Sequence, residues 1–186
     1  MAEAYVALGS NLGDRLGTMR GALRRLGLLG TIEAVSSVYE TDPVGVTEQP
    51  AFLNAAVRMR TELEPRPLLA ALHSIETEFG RVRTTVNGQR TLDLDLLFYD
   101  DVVLNSVEVV LPHPRLHERA FVLVPLSDIA PNLLHPTVEV RVRELLSTIG
   151  DLRGVRPFTG ESLAFGAKDG STELQTINLG RSDEDG

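Results

Sequence analysis

The sequence predicts an α+β fold, a mainly antiparallel sheet with helices packed on it in a three-layer αβα arrangement. Three observations carry this. Apolar residues recur at helical spacing in two early stretches, and four other stretches read as strands. The order is strand, helix, strand, strand, helix, strand. That order matches a split βαβ, ferredoxin-like βαββαβ core rather than a doubly wound parallel sheet. A chain of 186 residues accommodates one such domain with a sizeable core and C-terminal additions.

Tyr5 to Leu8 reads as a short buried strand, followed by the turn-rich Gly9-Ser10-Asn11-Leu12-Gly13-Asp14. Leu16, Met19, Leu23 and Leu26 then recur at helical spacing, with Asp14 as N-cap and Gly27 or Gly30 near the stop. GSNLGD lacks the GKS/T ending of a P-loop and the glycine spacing of a dinucleotide fingerprint, so taken alone it reads as structural. Thr31 to Glu40 is expected as the second strand. Phe52 to Thr61 is the third, with Leu53, Ala55, Val57 and Met59 on one face. Between them, Thr41 to Pro50 holds Pro43, Gly45 and Pro50, too irregular for a regular element and long enough to line a pocket. Pro65 and Pro67 suit a helix entry, and Leu68, Leu69, Leu72, Ile75, Glu76 and Phe79 carry that helix to a stop at Gly80.

The next stretch, Gly80 to Tyr99, is the most informative. Its first half carries Arg81, Arg83 and Arg90; its second half reads as a strand in which Asp93 and Asp95 alternate with Leu92, Leu94 and Leu96. Residues two apart on a strand share a face about 6.6 Å apart, so the leucines enter the core and both carboxylates point the other way. Two like charges that close call for a cation, and an oxygen-only set favours Mg²⁺ or Mn²⁺ together with substrate phosphates. Arginines beside them suit phosphate oxygens. The pattern therefore points to a metal-phosphate site.

Val102 to Leu104 reads as a short hairpin partner of that strand, Leu111 to Arg119 is polar and broken by prolines, and Ala120 to Leu126 and Ile129 return to apolar. Val142, Leu145, Leu146 and Ile149 mark another amphipathic helix. The pattern weakens from Asp151. Residues 1–158 are read as the catalytic domain and 159–186 as an arm or tail with a disordered acidic end.

Composition adds exclusions. A net charge of −8 argues against general nucleic-acid binding, which relies on distributed positive charge. The absence of cysteine removes disulfides, thiolate nucleophiles and cysteine zinc sites. MAEAYVALG lacks a basic segment followed by a long apolar region, and no apolar run approaches the ~18 residues of a membrane span, so a cytoplasmic protein without membrane contact is expected. Lys168 is the sole lysine; a biased genome would produce the same arginine usage.

Six pieces in order make the chain resemble the 6-hydroxymethyl-7,8-dihydropterin pyrophosphokinases: AYVALGSNLGDR, SSVYETDPVG, QPAFLNAAV, GRVR, RTLDLDLLFYDD and LPHPRLHERAFVLVPLSDIAP. They cover most of residues 4 to 136. The resemblance implies transfer of a diphosphate from ATP to the hydroxymethyl group of 6-hydroxymethyl-7,8-dihydropterin, giving AMP and the pterin diphosphate, in folate biosynthesis. It implies that Asp93 and Asp95 hold two Mg²⁺ ions, with Arg81, Arg83, Arg90, His113 and Arg119 on the triphosphate. Leu69, His73, Glu76 and Leu96 match positions that help line the nucleotide site. Thr41, Pro43, Val44, Phe52, Asn54, Asp93 and Phe121 match the pterin site, and two flexible loops are expected to close over the bound substrates.

The residue types suit the chemistry in their own right. A pterin is a flat heterocycle edged with donors and acceptors, and phenylalanines and an asparagine can sandwich and orient it. Diphosphoryl transfer is mainly positioning and charge stabilisation, and no residue stands out as a base. The chain departs from the family pattern at Val86-Asn87-Gly88-Gln89, where many members have an aromatic and Gly-Pro. It departs again at Glu108 and Pro114, where some carry a basic residue and an aromatic. Two other readings use the same residues: a pterin- or nucleotide-binding homologue without transfer, and a metal-dependent phosphohydrolase.

Overall fold

The computed structural model describes residues 1–43, 49–80, 90–160 and 162–163. Its central sheet contains β1 (Ala2–Ser10), β2 (Thr31–Val35), β3 (Tyr39–Thr41), β4 (Phe52–Thr61), β5 (Asp93–Tyr99) and β8 (Val155–Pro157). The order is β5-β1-β4-β3-β8, with β2 also paired to β4. Every pairing in it is antiparallel. Helices α1 (Arg15–Leu26) and α2 (Pro65–Glu78) are the crossovers expected of the βαββαβ plan. A small hairpin of β6 (Leu104–Asn105) and β7 (Val110–Leu111) follows, then α3 (Ala120–Ile129) and α4 (Val142–Thr148).

The sheet divides the interior into two cores. On one face Ala4, Val6 and Leu8 of β1, Leu53, Ala55, Val57 and Met59 of β4, and Leu94 and Leu96 of β5 pack against Met19, Leu23 and Leu26 of α1 and Leu68 and Leu72 of α2. On the other, Tyr5, Ala56, Leu97 and Phe98 pack against Val122, Leu123 and Leu126 of α3 and Val142 and Leu145 of α4. This is the three-layer αβα arrangement. A one-residue slip of β5 would carry Asp93 and Asp95 into the first core, so the buried leucines hold the carboxylates on the α3 face. Between Leu96 and Phe98 the register shifts, placing one extra residue, Leu97, opposite β1. The carbonyl of Leu97 accepts the His113 N–H at 2.9 Å, which draws the post-hairpin segment to the strand.

The structure differs from sequence expectation in two elements, and it gives the apolar stretch after Arg119, to which no element was assigned, as a helix. The strand expected over Thr31 to Glu40 is two strands, interrupted at residues 36–38. There Ser36 Oγ accepts the Ala56 N–H at 2.8 Å, and Asp128 of α3 accepts from Ser37 N and Tyr39 Oη, so the break is where α3 docks. The partner of Leu104 is β7, in a separate two-stranded sheet, rather than the Asp93 strand. Residues Ala120 to Ile129 are helical despite Pro125. At the C-terminal side, β8 adds a strand to β3, and Leu163 is buried in the first core with the Ser162 carbonyl accepting from Arg20.

Candidate functional site

Strand register builds the site. Gly9 of the central strand β1 pairs with Asn54 of β4 on one side and Asp93 of β5 on the other. Two residues back, Ala7 lies between Ala56 and Asp95. These small residues leave the α3 face of the sheet hollow at one end, and the hollow is a pocket. Gly9, Thr41, Phe52, Asn54 and Phe121 line one part of it; Arg90, Asp93 and Arg119 line the other. A Cβ on Gly9 would stand 3.1 Å from Asn54 Oδ1 and 3.8 Å from Asp93 Cβ, so glycine here keeps the floor open.

The pocket sets two aromatic side chains, Phe52 and Phe121, among polar and charged ones. Asn54 is 7% exposed, and its Nδ2 donates to Thr41 Oγ1 at 2.6 Å, which orients the amide. Phe121 sits at the start of α3, and the Arg119 guanidinium lies 5.7 Å from its ring centroid. That stacking fixes the arginine at the pocket mouth. Gln49 and Asp42 also line the pocket; both fall in the Thr41 to Pro50 connection expected to line one, though neither was singled out, and Gly9 belongs to the segment that alone reads as structural. Asp42 is held at the rim by a two-pronged pair with Arg156 of β8.

The charged part is a balanced cluster. Arg90 Nη1 donates to Asp93 Oδ2, Arg119 Nη1 to Asp95 Oδ2 at 3.3 Å, and His113 Nε2 stands 3.8 Å from that same oxygen. Burial pushes the Asp95 carboxyl above the ordinary carboxylate range, and the Asp93 charge adds to it; His113, Arg119 and Arg90 oppose the shift. Burial likewise pushes His113 below the usual imidazole range, against the pull of Asp95. Both shifts have one meaning: the partly dry site disfavours a net charge without compensation.

The other sequence candidates fall elsewhere. Glu76 is buried at 2% exposure, and its Oε1 accepts the Leu94 N–H at 2.8 Å, bracing β5 between the two aspartates. Leu96 is 4% exposed in the first core, Leu69 packs at its edge, and His73 is on the exposed side of α2. Pro43 is half-buried beside the pocket residue Asp42. Val44, Arg81 and Arg83 lie outside the described residues, as does the segment 86–89.

Whether a metal fits is a question of donors. Asp93 and Asp95 offer hard oxygen ligands on one strand face, 19% and 31% exposed. Among the described residues no group of three or more His, Cys, Asp or Glu is placed to hold a metal. Two carboxylates without a third protein ligand suit a cation that keeps waters and takes substrate phosphate oxygens, as Mg²⁺ does, rather than an all-protein cage. No helix among the described residues is long and apolar enough to cross a membrane.

Comparison with known proteins gives the family. Residues 5–131 match the family model for 7,8-dihydro-6-hydroxymethylpterin-pyrophosphokinase. A 2-amino-4-hydroxy-6-hydroxymethyldihydropteridine pyrophosphokinase of Bacillus subtilis is 42% identical over 161 residues, covering 86% of this chain and 92% of that protein. The Methylorubrum extorquens protein of the same name is 46% identical over 136 residues, 72% of this chain and 86% of its own. A folic acid synthesis protein of Dictyostelium discoideum is 38% identical over 156 residues, 82% of this chain; the chain spans 24% of the length of that relative. In three dimensions the crystal structure of Plasmodium falciparum HPPK-DHPS with pteroate superposes with a TM-score of 0.66 at 17% identity, over 78% of this chain and 42% of that one, a likeness of fold.

Proposed function

The chain belongs to the 7,8-dihydro-6-hydroxymethylpterin-pyrophosphokinase family, and on that premise we propose that it moves a diphosphate from ATP to the hydroxymethyl group of 6-hydroxymethyl-7,8-dihydropterin, releasing AMP. The observation that carries this is the shared lining of one pocket: an aromatic and amide part runs without interruption into Arg90, Asp93 and Arg119. A flat acceptor in the first part would present its hydroxyl to phosphates held by the second.

In the proposed reaction the pterin hydroxyl oxygen forms a bond to the β-phosphorus. The bond from that phosphorus to the oxygen bridging it to the α-phosphorus breaks, AMP leaves with the electron pair, and the hydroxyl proton passes to solvent. Phe52 and Phe121 cover the ring, and Asn54, its amide turned by Thr41, reads the ring edge. Arg90 and Arg119 release part of their hold on the aspartates to meet phosphate oxygens, for which their planar forks are suited. Asp93 and Asp95 are the residues that would hold Mg²⁺; two such ions would supply charge neutralisation and orientation of the phosphates. Placement of this kind accounts for transfer without a strong protein base.

The test is AMP release from ATP with and without 6-hydroxymethyl-7,8-dihydropterin. Pterin-dependent AMP that falls at least a hundredfold in Asp95→Ala supports the reading. AMP release indifferent to pterin, or an Asp95→Ala variant with wild-type turnover, overturns it.

A further inference from the structure

Strand β3 is three residues long, and its last residue is the pocket residue Thr41. A strand so short is placed by what pairs with it on each side. On one side is β4, with Thr41 opposite Phe52 and Tyr39 opposite Asn54. On the other is β8, the outermost strand of the sheet, with Thr41 opposite Val155 and Glu40 opposite Arg156.

The hold of β8 extends past the paired residues. The Asp42 N–H donates to the Gly154 carbonyl at 3.0 Å, while its Oδ1 accepts from Arg156 Nη2 at 2.7 Å and its Oδ2 from Arg156 Nη1 at 3.1 Å. Asp42 is therefore gripped through backbone and side chain by a strand 114 positions away. The guanidinium holds the Asp42 carboxyl below the usual carboxylate range. Glu40, opposite Arg156 in register, pairs instead with Arg15 of α1 at 2.9 Å. Asp42 directly follows Thr41, which is 3% exposed and whose Oγ1 accepts from Asn54 Nδ2 at 2.6 Å.

We propose that Arg156 is a positioning residue for the acceptor pocket: by gripping Asp42 it fixes the end of β3, and with it the Thr41 hydroxyl that turns the Asn54 amide. The inference rests on the reading of the pocket given above. The two ends of an asparagine amide are alike in shape and opposite in hydrogen bonding, so a half-turn of Asn54 would exchange donor for acceptor. The position of Thr41 Oγ1 decides between them. Binding groups have to be held within about 0.5 Å of their productive places, a tolerance that a frayed strand end would exceed. An isolated pair at the surface contributes little, and this one has side chains 47% and 59% exposed, but its two-pronged geometry is the favourable case. Arg153 makes the contrast. It also binds a carboxylate with two prongs, donating to Asp151 at 3.0 and 2.9 Å, yet its partner is two residues away and the pair ties down no other strand.

The experiment is steady-state AMP release with each substrate varied in turn. Arg156→Ala is expected to raise the pterin KM about fivefold, and no less than about twofold, which is what a well-aligned surface pair can contribute. The kcat and the ATP KM are expected to stay within about twofold of wild type, a split that general loosening of the fold would not produce. Arg156→Lys keeps a charge without the planar fork and should recover part of the loss. Adding Asp42→Asn to Arg156→Ala should cost no more than the worse single change, because both cut the same pair. Arg153→Ala should keep the wild-type values. Should Arg156→Ala not fold, Arg156→Gln retains most of the stem and carries the same expectation. A pterin KM raised by less than about twofold, an equal rise in the ATP KM, an equal effect of Arg153→Ala, or additive losses in the double variant overturns the proposal. Absence of pterin-dependent AMP from the wild type would instead overturn the function, and the two failures are thereby distinguished.

Discussion

Asn54 and Asp93 lie in one row across the sheet, each paired in register with Gly9 of the strand between them. They are therefore two strand spacings apart, on the order of 9.6 Å. That row joins the part of the pocket suited to a heterocycle to the part suited to phosphate. Its middle position must be small. Replacing Gly9 by Ala puts a methyl group 3.1 Å from Asn54 Oδ1, closer than a well-packed contact. The expected result is a pterin KM raised about tenfold (~1.4 kcal/mol) with the ATP KM changed much less. Steady-state kinetics with each substrate varied in turn checks this; equal effects on both would contradict it.

Glu76 supports the row from beneath. Its carboxylate oxygen is the acceptor for the buried Leu94 N–H, and Glu76→Ala leaves that donor without it inside a dry core. A loss of about 1–3 kcal/mol is expected. Glu76→Gln keeps an oxygen acceptor and should lose less. Urea midpoints at unchanged m-value measure both; equal stability of all three proteins would contradict the role.

Arg119 reaches Asp95 at 3.3 Å and stacks on Phe121. Arg119→Ala is expected to lower kcat/KM by roughly 10²–10³, the range for loss of one group aimed at developing charge. Arg119→Lys keeps a charge but not a planar fork, so it should recover only part of that loss. Activity within twofold of wild type in Arg119→Ala would remove it from the reaction.

His135 offers a pH prediction away from the reaction. It is 6% exposed, its ring meets Phe98 edge-on at 5.5 Å, and its Nδ1 accepts the backbone N–H groups of Thr137 and Val138. Burial, followed by the charge of His117, holds its pKa below the ordinary imidazole value. The unfolded chain then takes up a proton first, so this contribution is complete above about pH 6.5 and is lost as pH falls through that value toward the folded pKa. Thermal unfolding between pH 8 and pH 5 should show a decline that is smaller in His135→Gln. An identical pH dependence in the variant would exclude this histidine as its source.

Much of this architecture was legible in the sequence because the apolar pattern alternates cleanly where the sheet has a helix on each face. Leu53, Ala55, Val57 and Met59 on one face leave Asn54 on the other, and Leu94 and Leu96 leave Asp93 and Asp95 there too. What escaped depends on contacts between distant segments. Pro125, which lacks an N–H and usually interrupts a helix, masked α3. The break at residues 36–38 is made by Asp128 on another element, and β8 is a three-residue strand recognisable only by its partner β3. Gly9, Asp42 and Gln49 carry no distinctive local pattern; they join the pocket through strand register and loop placement. Arg156 lies 114 positions from Asp42, and nothing local could show that the two side chains pair.

The central claim is that a diphosphate, not a single phosphoryl group, moves to the pterin. ³¹P NMR of a reaction containing Mg²⁺, ATP and 6-hydroxymethyl-7,8-dihydropterin tests it most directly. Equimolar AMP and a new pair of coupled diphosphate resonances, with the diphosphate attached to the pterin by mass spectrometry, is the predicted result. ADP and inorganic phosphate appearing at a rate independent of pterin would contradict it.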